Sequence, residues 1–164
     1  MTPAKTFAAE LKYEADKTSK ILSRVPLDKG SWKPHDKSMS LERLARHVAE
    51  LSEWATVTVT TDELDLTKFA PNPEMKTTEQ LLSFFKTKND EAVAALENTT
   101  DEELRKMWTL RAGSHTIFTL PKGVVLRDTV MNHIVHHRGQ LSVYLRLLDV
   151  PVPGMYGPTA DMQG

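Results

Sequence analysis

The chain contains no cysteine among its 164 residues. This absence excludes disulfide bonds, thiolate metal ligands and a cysteine nucleophile, so any metal ion must be bound through nitrogen or oxygen. The chain also lacks an excess of charge, because 21 basic and 22 acidic side chains give a formal charge of −1. Without a basic stripe that could follow a phosphate backbone, we expect no nucleic-acid partner.

Long apolar runs are missing as well. No stretch approaches the roughly 20 apolar residues that span a bilayer, and the first 20 residues carry charges throughout. We therefore expect a cytoplasmic protein without a membrane partner. The length suits one domain covering residues 1–164, since a chain of this size can bury a full hydrophobic core.

Several well-known catalytic motifs are also absent. No Glu stands three residues before a histidine, as a di-iron carboxylate bundle requires, and no His-Glu-x-x-His zinc motif occurs. The G-x-S-x-G, P-loop and dinucleotide-binding fingerprints are missing too. These absences leave a mononuclear site with neutral nitrogen ligands as the metal chemistry open to this chain.

Four long segments carry apolar residues at helical spacing, which predicts an all-α four-helix bundle. Their start signals are Pro3, a Ser40 cap, a Thr77 capping box and Pro121. The second helix is extended through the β-branched run "TVTVTT", although propensity alone favours a strand there. "DEELRKM" predicts a short additional helix, and 108–120 an extended loop or small hairpin. The predicted long helices are 3–25, 40–64, 78–97 and 121–148.

Histidines occupy two core positions of the last helix. Its apolar stripe runs through Val130, His133, His137, Leu141, Tyr144 and Leu148. His133 and His137 are four residues apart, so their side chains project from one face and can reach a single ion. His47 lies at the edge of the second helix's apolar face, and it supplies a third nitrogen if the second and last helices face each other.

Two interpretations of these three histidines remain open. Each can be an ordinary core histidine bonded to a carbonyl or carboxylate, or one metal ion can satisfy all three. His136 points about 100° away from the stripe, which indicates a supporting role, not a ligand. His35 and His115 lie in predicted loops, where we expect them to be solvated.

The residues after His137 also invite interpretation. Arg138 is interpreted as a surface or interhelix salt-bridge residue, with substrate contact as the alternative. Gly139 predicts a close backbone approach, because glycine is costly within a helix. Gln140 either donates to a ligand or is solvated.

Three stretches together resemble the DinB-like family, also called damage-inducible or YfiT-like proteins: "WKPHDKSMSLERLARHVAEL", "NHIVHHRGQLSVYLRLL" and "VPVPGMYGPTAD". The resemblance covers nearly the whole chain. It implies an up-down-down-up four-helix bundle, a homodimer, and a divalent ion, often nickel or zinc, held by His47, His133 and His137. We expect the outer faces near Val57, Val59 and Phe84 to form the dimer contact.

The family resemblance also implies a metal-dependent enzyme, most directly a thiol S-transferase. A metal ion lowers the pKa of a bound thiol or water, and the thiol must be a low-molecular-weight cosubstrate because the chain has no cysteine. The alternatives are a metal-dependent hydrolase and a non-catalytic metal- or ligand-binding bundle of the stress response. Candidate residues for the substrate pocket are Trp54, Tyr144 and Tyr156.

Overall fold

The structure is a computed structural model that describes residues 2–162. Helices carry most of this range: α1 (Pro3–Leu22), α2 (Leu41–Glu50), α3 (Glu53–Thr60), α4 (Thr78–Glu97), α5 (Asp101–Arg105), α6 (Lys122–Val125), a π-helical segment (Leu126–Asn132) and α7 (His133–Leu147). A three-stranded sheet has the order β1 (Glu63–Asp65), β2 (Met107–Ala112), β3 (His115–Pro121). Single 3₁₀ turns occupy Leu27–Lys29 and Ala160–Met162.

The helices begin where the sequence signals predicted. The hydroxyls of Ser40, Thr77 and Thr100 each accept a hydrogen bond from the backbone N–H three residues later, which satisfies an otherwise free donor. Pro3 stands in the first turn of α1, where its missing N–H costs nothing. The predicted helix 78–97 coincides with α4.

The predicted second helix, 40–64, is helical over most of this range, including the β-branched run through Thr60, but it is interrupted after Glu50 and ends four residues early. After Leu51 the chain makes a 3₁₀-type turn, in which each backbone N–H donates to the carbonyl three residues earlier, as from Ala55 to Ser52 at 3.0 Å. It resumes as α3 and ends at Thr60, and residues 63–65 form β1, which pairs in parallel with β2. Contacts distant in sequence fix this strand: the Asp65 carboxylate accepts from the Gly113 N–H at 3.0 Å and pairs with Arg111 at 2.6 Å.

The small sheet also corrects the all-α expectation. Strands β2 and β3 form an antiparallel hairpin in the region where a loop or hairpin was predicted. Gly113 makes the turn with a φ of 60°, which glycine adopts without steric cost. The fully buried Trp108 of β2 packs in one hydrophobic cluster with Leu110 of the same strand and Val125 of α6. The fold is therefore mostly helical with one small sheet.

The apolar stripes of the helices form the core. Helix α4 packs against α1, α2 and α3, and α7 packs against α2 and α1. Most positions of the predicted stripes are buried, including Leu11 and Leu22 of α1, Leu44 of α2 and Leu141 of α7. Within residues 2–162, no helix has both the length and the apolar character needed to cross a membrane. The packing of α2 on α7 positions the candidate site.

Helix α7 ends in a left-handed turn. Asp149 has a φ of 58°, and the Val150 N–H donates to the Leu145 carbonyl at 2.9 Å. This is the six-to-one hydrogen bond of a helix terminus in which glycine usually occupies the left-handed position. Pro151 follows and cannot continue the helix.

A three-histidine candidate metal centre

The three predicted histidines meet between α2 and α7. His133 is the first residue of α7, and His137 lies one turn later on the same face. Helix α2 packs on α7 and carries His47 opposite both. His137 is buried, with 7% of its surface exposed, and the other two are half-buried. The second and last helices therefore face each other, which is the condition under which His47 was predicted to supply the third nitrogen.

The ring nitrogens of this histidine cluster (His47, His133, His137) converge on one point. His133 Nε2 lies 2.8 Å from His137 Nε2 and 3.4 Å from His47 Nε2. One ligand atom from each of the three residues lies within 4.8 Å of the other two. Among residues 2–162, no carboxylate joins this group of three. The cluster therefore offers nitrogen donors only.

The outer nitrogens of two rings are held by neighbouring groups. His133 Nδ1 lies 3.2 Å from the Thr129 carbonyl, and His137 Nδ1 lies 2.7 Å from the Gln140 side-chain oxygen. Both oxygens accept, so both Nδ1 atoms carry the proton, and in the neutral rings both Nε2 atoms carry a lone pair. Two lone pairs thus face each other at 2.8 Å.

Burial keeps these rings neutral. Burial, together with the nearby His137, His133, Arg43 and Arg46, lowers the pKa of His47 to about 4. Burial also lowers the pKa values of His133 and His137, although their hydrogen bonds oppose this shift. Neutral imidazole is the form that binds metal ions, so the burial of the cluster favours metal binding over protonation.

A polar cleft of about 460 Å³ opens beside the cluster. Two of the three histidines line it, and the other lining residues are Asp128, Thr129, Asn132 and His136. Asp128 and Asn132 were not predicted as site residues. They belong to the π-helical segment, whose wider turn changes which residues share a face with His133. Turns of this kind are frequent at functional sites, but a helical-spacing argument based on 3.6 residues per turn does not reveal them.

The other candidate residues lie elsewhere. His136 is exposed, and its ring contacts the His137 ring without joining the cluster. His35 and His115 are exposed in a loop and at the hairpin, as expected. The hydroxyl of Tyr144 donates to the Met39 carbonyl at 3.1 Å, and Trp54 packs between hydrophobic clusters. Neither lines the cleft, and Tyr156 does not line it either.

The sequence-based interpretations of the three residues after His137 agree with the structure to different degrees. Arg138 is buried and pairs with Glu14 of α1, so the interhelix salt-bridge interpretation is confirmed. The interpretation of Gly139 is wrong, because a Cβ at this exposed position meets no atom within 4 Å. Gln140 orients the His137 ring through the hydrogen bond described above.

The protein is mostly helical with one small sheet. A partly buried cluster of three histidines lies beside a polar cleft, and this cluster is a candidate metal centre. The chain belongs to the DinB family, whose model matches residues 1–163. The resemblance found in the sequence is thereby confirmed.

Two relatives and two solved structures support this assignment. The Bacillus subtilis protein YjoA is 30% identical over 129 residues, which cover 79% of this chain and 80% of YjoA. YrdA of the same organism is 27% identical, with coverage of 94% and 89%. The crystal structure of YjoA, a DinB-like protein, has a TM-score of 0.71 at 21% identity and coverage of 94% and 99%. A DinB-like protein from Bacillus cereus has a TM-score of 0.66 at 25% identity, with coverage of 92% and 95%.

Proposed function

We propose that this protein binds one divalent metal ion through His47, His133 and His137. The supporting observation is the pair of Nε2 lone pairs that face each other at 2.8 Å while both Nδ1 protons are engaged elsewhere. Neutral rings in this arrangement repel each other, whereas a shared cation attracts both. Because burial disfavours a proton in this position, a metal ion is the cation that fits.

The donor set supports nickel or zinc. Imidazole nitrogen suits both ions, and the cluster contains no carboxylate of the kind that magnesium or calcium requires. Two nitrogens bound tetrahedrally at about 2.1 Å from one ion lie about 3.4 Å apart. The separation of 3.4 Å between His47 and His133 matches this value, and the separation of 2.8 Å between His133 and His137 is shorter. The DinB family is also associated with metal ions.

We further propose that the protein is a thiol-dependent S-transferase. When bound, the metal supplies Lewis acidity, which lowers the pKa of a thiol and so favours the nucleophilic thiolate. The chain has no cysteine, so the thiol belongs to a low-molecular-weight cosubstrate. Three protein ligands leave coordination positions open, as in catalytic sites and unlike closed structural sites.

The protein's own residues have two roles in this proposal. Thr129 and Gln140 fix the orientation of the imidazoles by accepting the Nδ1 protons. Asp128, Asn132 and His136 line the cleft and provide the polar contacts for the cosubstrate or the electrophile. Asp128 can accept the proton that the thiol loses, because its carboxylate is exposed in the cleft.

Metal content tests the ligand assignment. We expect about one equivalent of nickel or zinc in the protein loaded with either ion, and loss of that ion in His133→Ala and His137→Ala. His136→Ala is the matched control, since it removes an adjacent imidazole outside the cluster, and it should retain the ion. Elemental analysis with equal metal in all variants would contradict the assignment.

Metal removal tests whether the ion has a structural role. We expect the chelated protein to keep its helical circular dichroism, because two hydrophobic clusters hold the helices together without the ion. Complete unfolding after chelation would instead indicate a structural metal site.

Activity assays separate the chemistries. A thiol S-transferase requires both the ion and an added thiol, and His47→Ala should be inactive. The assay uses a generic electrophile and an activated ester, each with and without a set of small biological thiols. Ester turnover that does not depend on thiol would identify a hydrolase, and inactivity with every thiol would favour a non-catalytic binding protein.

A further inference from the structure

A second recess lies between α1 and α4, away from the residues of the histidine cluster. This α1–α4 groove has a volume of about 550 Å³, within the range of small-molecule sites. Its lining comes from α1, the residue that follows α1, and α4: Ala15, Asp16, Ser19, Lys20, Ser23, Leu82, Phe85, Lys86, Asn89 and Asp90. None of these residues belongs to the cleft beside the histidines.

Asn89 is the unusual residue of this groove. Its side chain is 95% buried, since only 5% of the residue is exposed, and it lines the recess. Its Oδ1 is fully buried and has no hydrogen-bond partner within residues 2–162. A buried polar atom without a partner is costly and rare in folded proteins. The terminal torsion of asparagine is soft, so the carboxamide can turn either polar atom toward the groove.

The charges around the groove are already neutralised. Lys20 pairs with Asp16 at 2.6 Å, and Lys86 pairs with Asp90 at 2.5 Å. These two pairs leave no net charge on the rim. The remaining lining residues are apolar or uncharged: Ala15, Leu82, Phe85, Ser19, Ser23 and Asn89. An occupant with a net charge would therefore gain little, whereas an apolar group would be removed from water against Ala15 and Leu82.

We propose that the α1–α4 groove binds an uncharged, mainly apolar small molecule with an amide group, whose N–H donates to Asn89 Oδ1 when the carboxamide turns this atom toward the groove. An amide N–H is the kind of donor that this unpaired oxygen requires. Asn89 would thereby gain the hydrogen-bond partner that it lacks in the protein alone. The proposal does not depend on the metal site, because the two sites share no lining residue.

Two probes that differ by one N-methyl group test the proposal. 2-Quinolinone is a neutral aromatic lactam with N–H beside C=O, and 1-methyl-2-quinolinone lacks the N–H. In ¹⁵N-resolved NMR titrations of the metal-loaded protein, we expect 2-quinolinone to shift the Asn89 side-chain amide and the backbone amides of Leu82 and Phe85. A probe of this size should bind with a Kd on the order of 1 mM, and the methylated probe should bind at least about ten-fold more weakly.

Variants locate the interaction. Asn89→Leu removes the carboxamide at nearly constant volume and should abolish the preference for the lactam N–H. Asn98→Leu is the matched control, since Asn98 caps the end of the same helix and donates to the Ala94 carbonyl outside the groove. This control should bind both probes like the original protein. Chelation of the metal should leave probe binding unchanged.

Three results would overturn the proposal. The first is the absence of any shift at 10-fold the expected Kd, and the second is equal affinity for the two probes in the original protein. The third is an undiminished lactam preference in Asn89→Leu. The comparison of the two probes needs no variant, so it decides the question even if Asn89→Leu does not fold.

Discussion

Arg138 shows how a charged side chain next to a candidate ligand is held in the interior. Its guanidinium donates to the Glu14 carboxylate, to the Glu14 carbonyl at 3.1 Å and to Thr18 Oγ1 at 3.2 Å. The Tyr156 hydroxyl also donates to the Glu14 carboxylate, at 2.8 Å. Because Arg138 directly follows His137, these contacts tie the candidate site to α1 and to the C-terminal segment.

Replacing Glu14 with Gln should strongly destabilise the protein at neutral pH. Removing one partner of a buried ion pair costs about 3 to 5 kcal/mol, since the other charge stays buried and unpaired. Urea unfolding at pH 7 measures this loss. Glu97→Gln is the control: Glu97 of α4 also pairs with a residue of α1, Lys12, but this pair is half-exposed, and its loss should cost below about 1 kcal/mol.

The effect of Glu14 should depend on pH. Burial raises its pKa, but the hydrogen bonds from Arg138 and Tyr156 outweigh burial, so the pKa lies below the ordinary value of 4.5. The unfolded chain therefore binds this proton first as the pH falls. The stabilisation is complete above pH 4.5 and declines as the pH falls toward the lower folded pKa. A difference between the two proteins that stayed constant from pH 7 to pH 3 would contradict this.

Residue spacing alone predicted that His133 and His137 share a face. Their approach to His47 was conditional on the second and last helices facing each other, and the family resemblance implied it. Gln140 is three residues after His137, so a hydrogen bond between the two was possible from the sequence. Only the structure shows that Gln140 makes this bond and is not simply solvated. Asn89 was not recognised, although it stands four residues after Phe85 and three before Ala92, so helical spacing places it on the buried face of α4. Its missing hydrogen-bond partner is visible only in the structure.

At the scale of elements, the end of α7 offers a stabilising substitution. Asp149 adopts a left-handed conformation that strains side chains with a Cβ. Its negative charge also lies near the negative end of the helix dipole. Asp149→Gly should therefore raise stability by about 0.5 to 1 kcal/mol, which corresponds to roughly 1 to 4 °C in Tm. Calorimetry measures this shift, and Asp149→Ala, which keeps the strain, should show no comparable gain.

The elements whose signals are local were predicted well, and those that depend on distant partners were not. Caps and apolar spacing specified α4 to the residue and the start of α1, although α1 ends at Leu22 and not at 25 as predicted. Strand β1 has no such signal: three residues cannot show a period, and their position depends on Arg111 and Gly113, nearly 50 residues away. Trp108 Nε1, which donates to Thr61 at 3.0 Å, adds another distant contact at the end of α3.

At the scale of the whole molecule, the expected dimer surface is partly wrong. Val59 is 7% exposed and belongs to the core, and Val57 and Phe84 are half-buried against hydrophobic clusters. The β-branched run packs inward because α3 lies between α4 and the π-helical segment. The up-down-down-up order and the homodimer, both implied by the family resemblance, remain predictions.

We predict a homodimer at micromolar concentration. Light scattering should give twice the chain mass of 18.5 kDa. Exposed apolar side chains on α7, namely Val135, Val143 and Leu147, are available for such a contact. Val143→Lys should lower the measured mass toward 18.5 kDa, whereas Leu66→Lys, an exposed apolar position outside α7, should not. A monomer mass for the unsubstituted protein would refute the prediction.

The π-helical segment fixes the angular phase between the two ends of the last helix. Val125 before it packs on Trp108 of the sheet, and His133 after it faces α2. Each residue of an α-helix turns the side-chain direction by about 100°. A π-helix turns through a smaller angle per residue, so the same seven residues in regular α-helix would rotate one end further relative to the other. The chain could then keep its contact with the sheet or its imidazoles toward α2, but not both, so the wider turn of this segment sets the direction of the histidines.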